Sequence, residues 1–125
     1  MDLNQVTLPV GNVQESIQFY RRMGFTLIVE ADHYARFECP QGESTFSIHQ
    51  FESHDGNHGC VVYFETEHLD EKVQQLQDAG FGFFQPPQDE PWLWREARLN
   101  DPSGNIICLY WAGENRKNPP WRVKP

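Results

Sequence analysis

Ala35-Arg36-Phe37-Glu38-Cys39-Pro40-Gln41-Gly42 and Ala97-Arg98-Leu99-Asn100-Asp101-Pro102-Ser103-Gly104 share one pattern, A-R-apolar-x-x-P-x-G, 62 positions apart. Upstream, Val13…Gly24-Phe25 returns as Leu69…Gly80-Phe81, 56 positions apart. Two echoes at nearly one spacing mark an internal duplication, and a duplication sets the architecture before any single residue does. A module of about fifty residues occurs twice, so a pocket built from both copies is expected to be nearly two-fold symmetric.

Around the first copy, Val6, Leu8 and Val10 alternate with Gln5, Thr7 and Pro9, as in a strand with one buried face. Asn12, with Glu15 three residues on, reads as a capping box. The helix that follows turns Val13, Ile17, Tyr20 and Met23 to the core and stops at Gly24. Strands are predicted over 25–29, 34–39 and 45–51, with a turn at Pro40-Gln41-Gly42-Glu43. The second copy repeats the order: a strand over 60–65, a helix carrying Leu69, Val73, Leu76 and Ala79 and ended by Gly80, then a strand over 81–84. A proline-rich loop over 85–91, a long strand over 92–99, the turn Asp101-Pro102-Ser103-Gly104-Asn105 and a last strand over 106–111 complete it. Module one is expected over 3–51, a polar linker over 52–59 and module two over 60–111, in a single domain 1–113 with an irregular tail, 114–125.

With 125 residues the chain can bury a substantial core, whereas either half alone would be marginal. A net charge of −8 argues against a nucleic-acid or anionic-membrane surface. The first residues lack a basic and apolar leader pattern, and no run approaches transmembrane length. Cys39, Cys60 and Cys108 are odd in number and lack framework spacing, as expected of a reduced, cytoplasmic protein.

Val6-Thr7-Leu8-Pro9-Val10, Phe19-Tyr20-x-x-Met23-Gly24-Phe25 and Asp101-Pro102-Ser103-Gly104-Asn105-Ile106-Ile107, set in two β-α-β-β-β modules, resemble the vicinal-oxygen-chelate superfamily. That group holds glyoxalase I, bleomycin-resistance proteins, fosfomycin-resistance enzymes and extradiol dioxygenases. The resemblance runs over nearly the whole chain, residues 3–111. It implies an α+β fold whose two modules form a cupped eight-stranded sheet around a large cavity, a homodimer, and in catalytic members one divalent metal that chelates adjacent substrate oxygens. Fold does not fix function, so the residues must carry that part.

The resemblance puts the four metal-ligand positions at Gln5, Ser47, Val61 and Cys108. A hard divalent ion wants carboxylate and imidazole donors. Val61 donates nothing, Ser47 is a poor ligand, Gln5 is neutral and weak, and Cys108 is a soft ligand without a partner of its kind. The usual metal is therefore expected to be absent, with no other cofactor expected. A shifted set of His49, Cys108 and Glu96, with Glu65 and His33 in reach, is the alternative; the plainer reading of His49 is a hydrogen-bonding wall residue. His54-x-x-x-His58 has ligand spacing only on a helix, and this Gly- and Asp-containing segment reads as surface loop.

By strand alternation, Tyr34, Arg36 and Glu38 from one module and Trp92, Trp94, Glu96 and Arg98 from the other face the cavity. Two converging arginines suit a carboxylate- or phosphate-bearing ligand. Alternatively they sit in internal ion pairs, Arg36 with Glu38 or Glu65 and Arg98 with Glu96. Trp92, Trp94 and Tyr34 suit stacking on a planar ligand, or else pack the floor of the cup or a dimer contact. Trp121, in Asn118-Pro119-Pro120-Trp121-Arg122, is expected to dock over the cup or the partner subunit. Cys108 near arginines, His49 and Tyr110 has the makings of a stabilised thiolate, but nothing in the spacing sets up a Cys/His pair, and the plainer reading is a small inward residue filling a former ligand position.

The expected function is metal-independent binding of a small planar or anionic organic molecule by Gln5, Tyr34, Arg36, Ser47, His49, Trp92, Trp94, Glu96, Arg98, Cys108 and Trp121. The rivals are a metal-dependent lyase, isomerase or dioxygenase using His49, Glu96 and Cys108, and an interaction protein whose cup is filled by its own tail.

Overall fold

A computed structural model describes residues 1–52 and 59–125; His54 and His58 lie outside the described residues. The chain forms two compact units. The first comprises Met1–Cys60 together with Asp101–Asn105, and the second comprises Val61–Asn100 with Ile106–Pro125.

In the first unit the order is β1 (Gln5–Val10), α1 (Val13–Met23), β2 (Thr26–Ala31), β3 (Tyr34–Glu38) and β4 (Thr45–Gln50). The sheet runs β1-β4-β3-β2, with β1 parallel to β4 and the other neighbours antiparallel. α1 starts where its sequence says: the Asn12 side chain accepts from the Glu15 N–H at 2.9 Å. It ends at Gly24, whose φ of 111° only glycine adopts without strain, and whose N–H caps the Arg21 carbonyl. Val13, Ile17, Tyr20 and Met23 are buried, as are Leu8, Val10, Ala35, Phe37, Phe46 and Ile48 of the sheet. Rings lock this core: Phe37 stacks on Phe46 at 5.1 Å, and Tyr20 meets Phe46 edge-on at 5.0 Å. With that parity turned to the helix, Gln5, Thr7, Tyr34, Arg36 and Ser47 lie on the opposite sheet face.

The second unit repeats the plan with β5 (Val61–Glu65), α2 (Leu69–Asp78), β6 (Phe83–Asp89), β7 (Arg95–Asn100) and β8 (Ile106–Trp111) in the sheet order β5-β8-β7-β6. Leu69, Val73 and Leu76 are buried, as are Ala97, Leu99, Ile107 and Leu109 of the sheet, whereas Ala79 is exposed. The chain is thus α+β, with two four-stranded mixed sheets and eight strands among the described residues.

Three expectations need correction. The proline-rich stretch is strand rather than loop: β6 runs through Pro86 and Pro87 at the edge of the sheet, and both fall where its pairing with β7 slips between Gln85 and Gln88, so neither is paired in the ladder; a further slip lies between Phe83 and Gln85. The long strand over 92–99 begins only at Arg95, because Glu90–Leu93 is a turn with Pro91 at its second position and Leu93 N–H bonded to the Glu90 carbonyl at 3.0 Å. The tail is not wholly irregular, since Gly113–Arg116 forms a 3₁₀ turn.

The turn assigned by sequence to module two belongs physically to the first unit. Asp101 is 4% exposed; its Oδ1 accepts from the Ser103 and Asn105 N–H groups, both at 2.9 Å. Its Oδ2 accepts from Asn105 Nδ2 at 2.9 Å and from the Tyr20 hydroxyl at 2.6 Å. Asn105 Nδ2 also reaches the Pro9 carbonyl at 2.8 Å, and Ser103 Oγ takes the Gly11 N–H at 2.9 Å. No described helix is long and apolar enough to cross a membrane.

Candidate functional site

Ser47 stands at the middle of β4, opposite Thr7 on β1 and Arg36 on β3. It is fully buried, and its hydroxyl is 2.8 Å from Thr7 Oγ1 while accepting from Gln5 Nε2 at 2.7 Å. Beside it, Arg36 Nε donates to the Tyr34 hydroxyl at 2.9 Å, with the guanidinium 5.5 Å from the ring centre. Hydrogen bonding by Ser47, and then by Arg36, lowers the pKa of the Tyr34 phenol. Among the described residues Arg36 makes no ion pair; Glu38, two residues on and on the same face, is exposed and does not reach it. His49 pairs in register with Tyr34 and Pro9, is exposed, and sets its ring edge-on to Phe51 at 4.8 Å.

In the second unit Cys108 holds the corresponding place on β8, opposite Tyr63 on β5 and Arg98 on β7. Tyr110, two residues along on the same strand, stacks on Trp94 at 4.9 Å and 27°, and Tyr63 meets Trp94 and Tyr110 edge-on at 5.9 and 5.4 Å. Glu96 is 1% exposed and fully engaged: Oε1 accepts from Arg98 Nη2 at 3.2 Å and Oε2 from the Trp92 indole at 2.7 Å. Arg98 Nη2 also donates to the Tyr63 hydroxyl at 3.2 Å. Of the two charge arrangements open from sequence, Arg98 has the internal pair with Glu96, whereas Arg36 has none among the described residues.

Cys108 is not a stabilised thiolate. Burial, followed by the charge of Glu96, pushes its thiol up to about 12, and the opposing pull of Arg98 is smaller. The start of the tail is fastened nearby: Glu65 Oε2 accepts from the Ala112 and Gly113 N–H groups at 3.0 Å each, Arg116 Nε lies 3.8 Å from Glu65 Oε1, and the Trp94 indole donates to the Asn115 carbonyl at 3.3 Å. Trp121 itself is 57% exposed.

The structure therefore gathers Gln5, Tyr34, Arg36 and Ser47 on one sheet face and Trp92, Trp94, Glu96, Arg98 and Cys108 in one cluster of the other unit. Thr7 and Tyr63 were missed from sequence, although each lies two residues beyond a position singled out, Gln5 and Val61, and so on the same strand face. The four ligand positions do not suit a hard divalent ion: Gln5 and Ser47 are bonded to each other, Val61 is apolar, and Cys108 holds its proton. The shifted set divides between the units, His49 in the first and Glu96 with Cys108 in the second. Among the described residues no group of three His, Cys, Asp or Glu side chains is placed to hold a metal.

Two copies of a β-α-β-β-β unit, each with a small residue at the centre of one sheet face opposite an arginine that bonds a tyrosine hydroxyl, define a duplicated α+β protein of the paired-module class. The family model of the Glyoxalase/Bleomycin resistance protein/Dioxygenase superfamily matches residues 2–109, and the chain belongs to that superfamily. A bleomycin resistance protein of Geobacillus stearothermophilus is 27% identical over 128 aligned positions, covering 82% of this chain and 91% of that protein. Among solved structures, a glyoxalase/bleomycin resistance protein/dioxygenase from Nocardioides superposes with a TM-score of 0.77 at 20% identity, over 99% of this chain and 90% of that one. A bleomycin-binding protein complexed with bleomycin gives a TM-score of 0.74 at 18% identity, over 89% of this chain and 98% of that one. These structural likenesses show the shared fold.

Proposed function

We propose that this protein binds a small planar or anionic organic molecule and does so without the catalytic metal of its superfamily. The observation that carries the reading is the aromatic set Tyr63, Trp94 and Tyr110, with ring centres 4.9–5.9 Å apart and Tyr63 still 41% exposed. Flat ligands stack on such walls. The chemistry of Gln5, Ser47, Val61 and Cys108 supports the metal-free part, and relatives bearing the name bleomycin resistance protein support sequestration over catalysis. Three free cysteines support a reducing, cytoplasmic setting, and the exposed Trp92, Leu93 and Trp111 support a homodimer.

The test is a fluorescence titration of chelator-treated protein with bleomycin and a panel of planar organic anions. Tyr63→Ala, at an exposed position, and Trp94→Leu should each weaken binding about tenfold while thermal unfolding stays cooperative. Unchanged affinity in both variants sinks the reading. One observation favours a second reading, a face covered by the protein's own tail: the bond from the Trp94 indole to the Asn115 carbonyl. Truncation after Gly113 decides between them, because a covering tail must raise affinity when removed.

A further inference from the structure

The two repeat arginines differ in one respect that matters for recognition. Arg98 is neutralised by a buried carboxylate at 3.2 Å, whereas Arg36 is half-buried with no counter-charge among the described residues. Its one hydrogen bond in the structure uses Nε, toward the Tyr34 hydroxyl, and its guanidinium is seated on the Tyr34 ring. Both Nη groups are thus left without a protein partner among the described residues. We infer that the open sheet face of the first unit is a carboxylate receptor, in which the Nη1–Nη2 end of Arg36 takes both oxygens of a ligand carboxylate.

The fork geometry selects the ligand. Two parallel N–H donors match two coplanar oxygens, and a planar guanidinium does this where an ammonium cannot. The bond to Tyr34 and the contact with its ring fix the plane of the fork in advance, so little side-chain freedom is lost on binding. Around it, Ser47, Thr7 and Gln5 form a neutral hydrogen-bonded row that brings no competing negative charge. Glu38 points along the same strand face but remains in solvent. A half-buried cation in this setting gains most from an anion that arrives with a ligand.

This inference rests on the small-molecule reading above, and the experiment separates the two. Benzoate and its neutral isostere benzamide are titrated into the full chain and followed by ¹⁵N–¹H spectra, including the Arg36 Nε–H signal. Wild type should bind benzoate at least about tenfold more tightly than benzamide, with the Arg36 signal among those that move. Arg36→Gln should erase that preference by weakening benzoate far more than benzamide; Arg36→Lys should restore only part of it, because it keeps the charge and loses the fork. Equal binding of the two compounds by wild type, or an undiminished preference in Arg36→Gln, overturns the receptor while leaving the planar-ligand reading intact. Failure of both compounds to bind wild type counts against both proposals. Stronger binding of inorganic phosphate than of benzoate at Arg36 overturns the carboxylate assignment. Since Arg36 holds no ion pair among the described residues, Arg36→Gln should unfold at nearly the wild-type temperature, which keeps the comparison interpretable.

Discussion

Arg36 and Arg98 occupy the same place in two sheets, each opposite the central residue of the middle strand, Ser47 in one case and Cys108 in the other. Each also bonds a tyrosine hydroxyl, Tyr34 at 2.9 Å and Tyr63 at 3.2 Å. Among the described residues, only Arg98 of the two pairs with a buried carboxylate. The two copies keep the arginine's position, but among the described residues one pairs with a carboxylate, Glu96, and the other pairs with none.

That difference predicts opposite stability effects. Replacing Arg98 by Met leaves Glu96, 1% exposed, with the Trp92 indole and without a cation. The expected loss is on the order of 3 kcal/mol in urea unfolding, because a buried charge is left uncompensated. Arg36→Met should change stability by less than about 1 kcal/mol. Equal losses in the two variants would show that the ion pair is not what distinguishes the sites.

Arg95 has the more conspicuous pairing, two bonds to Asp70 at 2.9 and 3.0 Å and one to Asp89 at 3.0 Å. Its side chain is 37% exposed, and those of Asp70 and Asp89 are 62% and 84% exposed. Solvent and salt screen such pairs, so Arg95→Met should cost no more than about 1 kcal/mol, and less at high salt. The Arg95 hydrogen bonds hold the Asp70 carboxyl below its ordinary value of 3.8. A depressed acid contributes stability above its unfolded pKa and loses it as pH falls through the folded one. The small Arg95 effect should therefore vanish in acid, below the ordinary carboxylate range, when measured by denaturant midpoints.

The three thiols should separate by rate. Cys60 is exposed, whereas burial raises the Cys39 thiol and pushes Cys108 up to about 12. Reaction with an aromatic disulfide reagent near pH 8 should show one fast thiol, lost in Cys60→Ser, and two slow ones. A fast phase that disappears in Cys108→Ser would restore that residue as a nucleophile.

Much of this was legible in the sequence. The A-R-apolar-x-x-P-x-G repeat placed Arg36 and Arg98 on matching strands, and the helix signals at Asn12 and Gly24 correspond to observed caps. Local chemistry misled at Pro86 and Pro87, which read as loop because proline is excluded from central strands, although an edge strand tolerates it. At Trp92–Trp94 the strong β-propensity of tryptophan masked the turn set by Pro91. The role of Asp101 was hidden for another reason. An Asp-Pro-Ser-Gly-Asn turn looks self-contained, and nothing in its own residues announces that Tyr20, 81 positions earlier, donates to it. Ion pairing was undecidable from sequence as well, since Arg36 and Arg98 both have a glutamate two residues away and only Glu96 is buried.

The Tyr20–Asp101 bond gives a prediction with a pH signature. The hydroxyl donates at 2.6 Å inside the core, and Asp101 keeps three other donors if Tyr20 becomes Phe. Tyr20→Phe should cost about 1.5 kcal/mol at pH 8, the usual loss for a hydrogen bond to a charged group. Burial first, and then Asp101, raises the Tyr20 phenol well above 10.0. An acid whose folded pKa is raised is fully stabilising below its unfolded value and loses that contribution as pH climbs toward the folded one. Wild type should therefore weaken above about pH 10 relative to Tyr20→Phe, and their gap should shrink by up to about 1.4 kcal/mol per pH unit. A gap independent of pH between 8 and 11 would mean that the phenol ionises as readily in the fold as outside it.

Leu93 is the only described non-glycine residue with positive φ, 69°, and it lies in the turn between β6 and β7 with 48% of its surface exposed. The left-handed region costs an L-residue about 1–2 kcal/mol, while glycine enters it freely and loses somewhat more chain entropy. Little burial is at stake in so exposed a side chain. Leu93→Gly should thus stabilise the protein by up to about 1 kcal/mol, seen as a higher unfolding temperature. The same turn carries Trp92, whose indole bonds to Glu96 at 2.7 Å, so the strain sits next to residues of the aromatic and charged cluster. If that strain holds Trp92 in place for a ligand, the stabilised variant should bind planar compounds less well than wild type. Higher stability with unchanged binding would instead make Leu93 a tolerated defect of the turn.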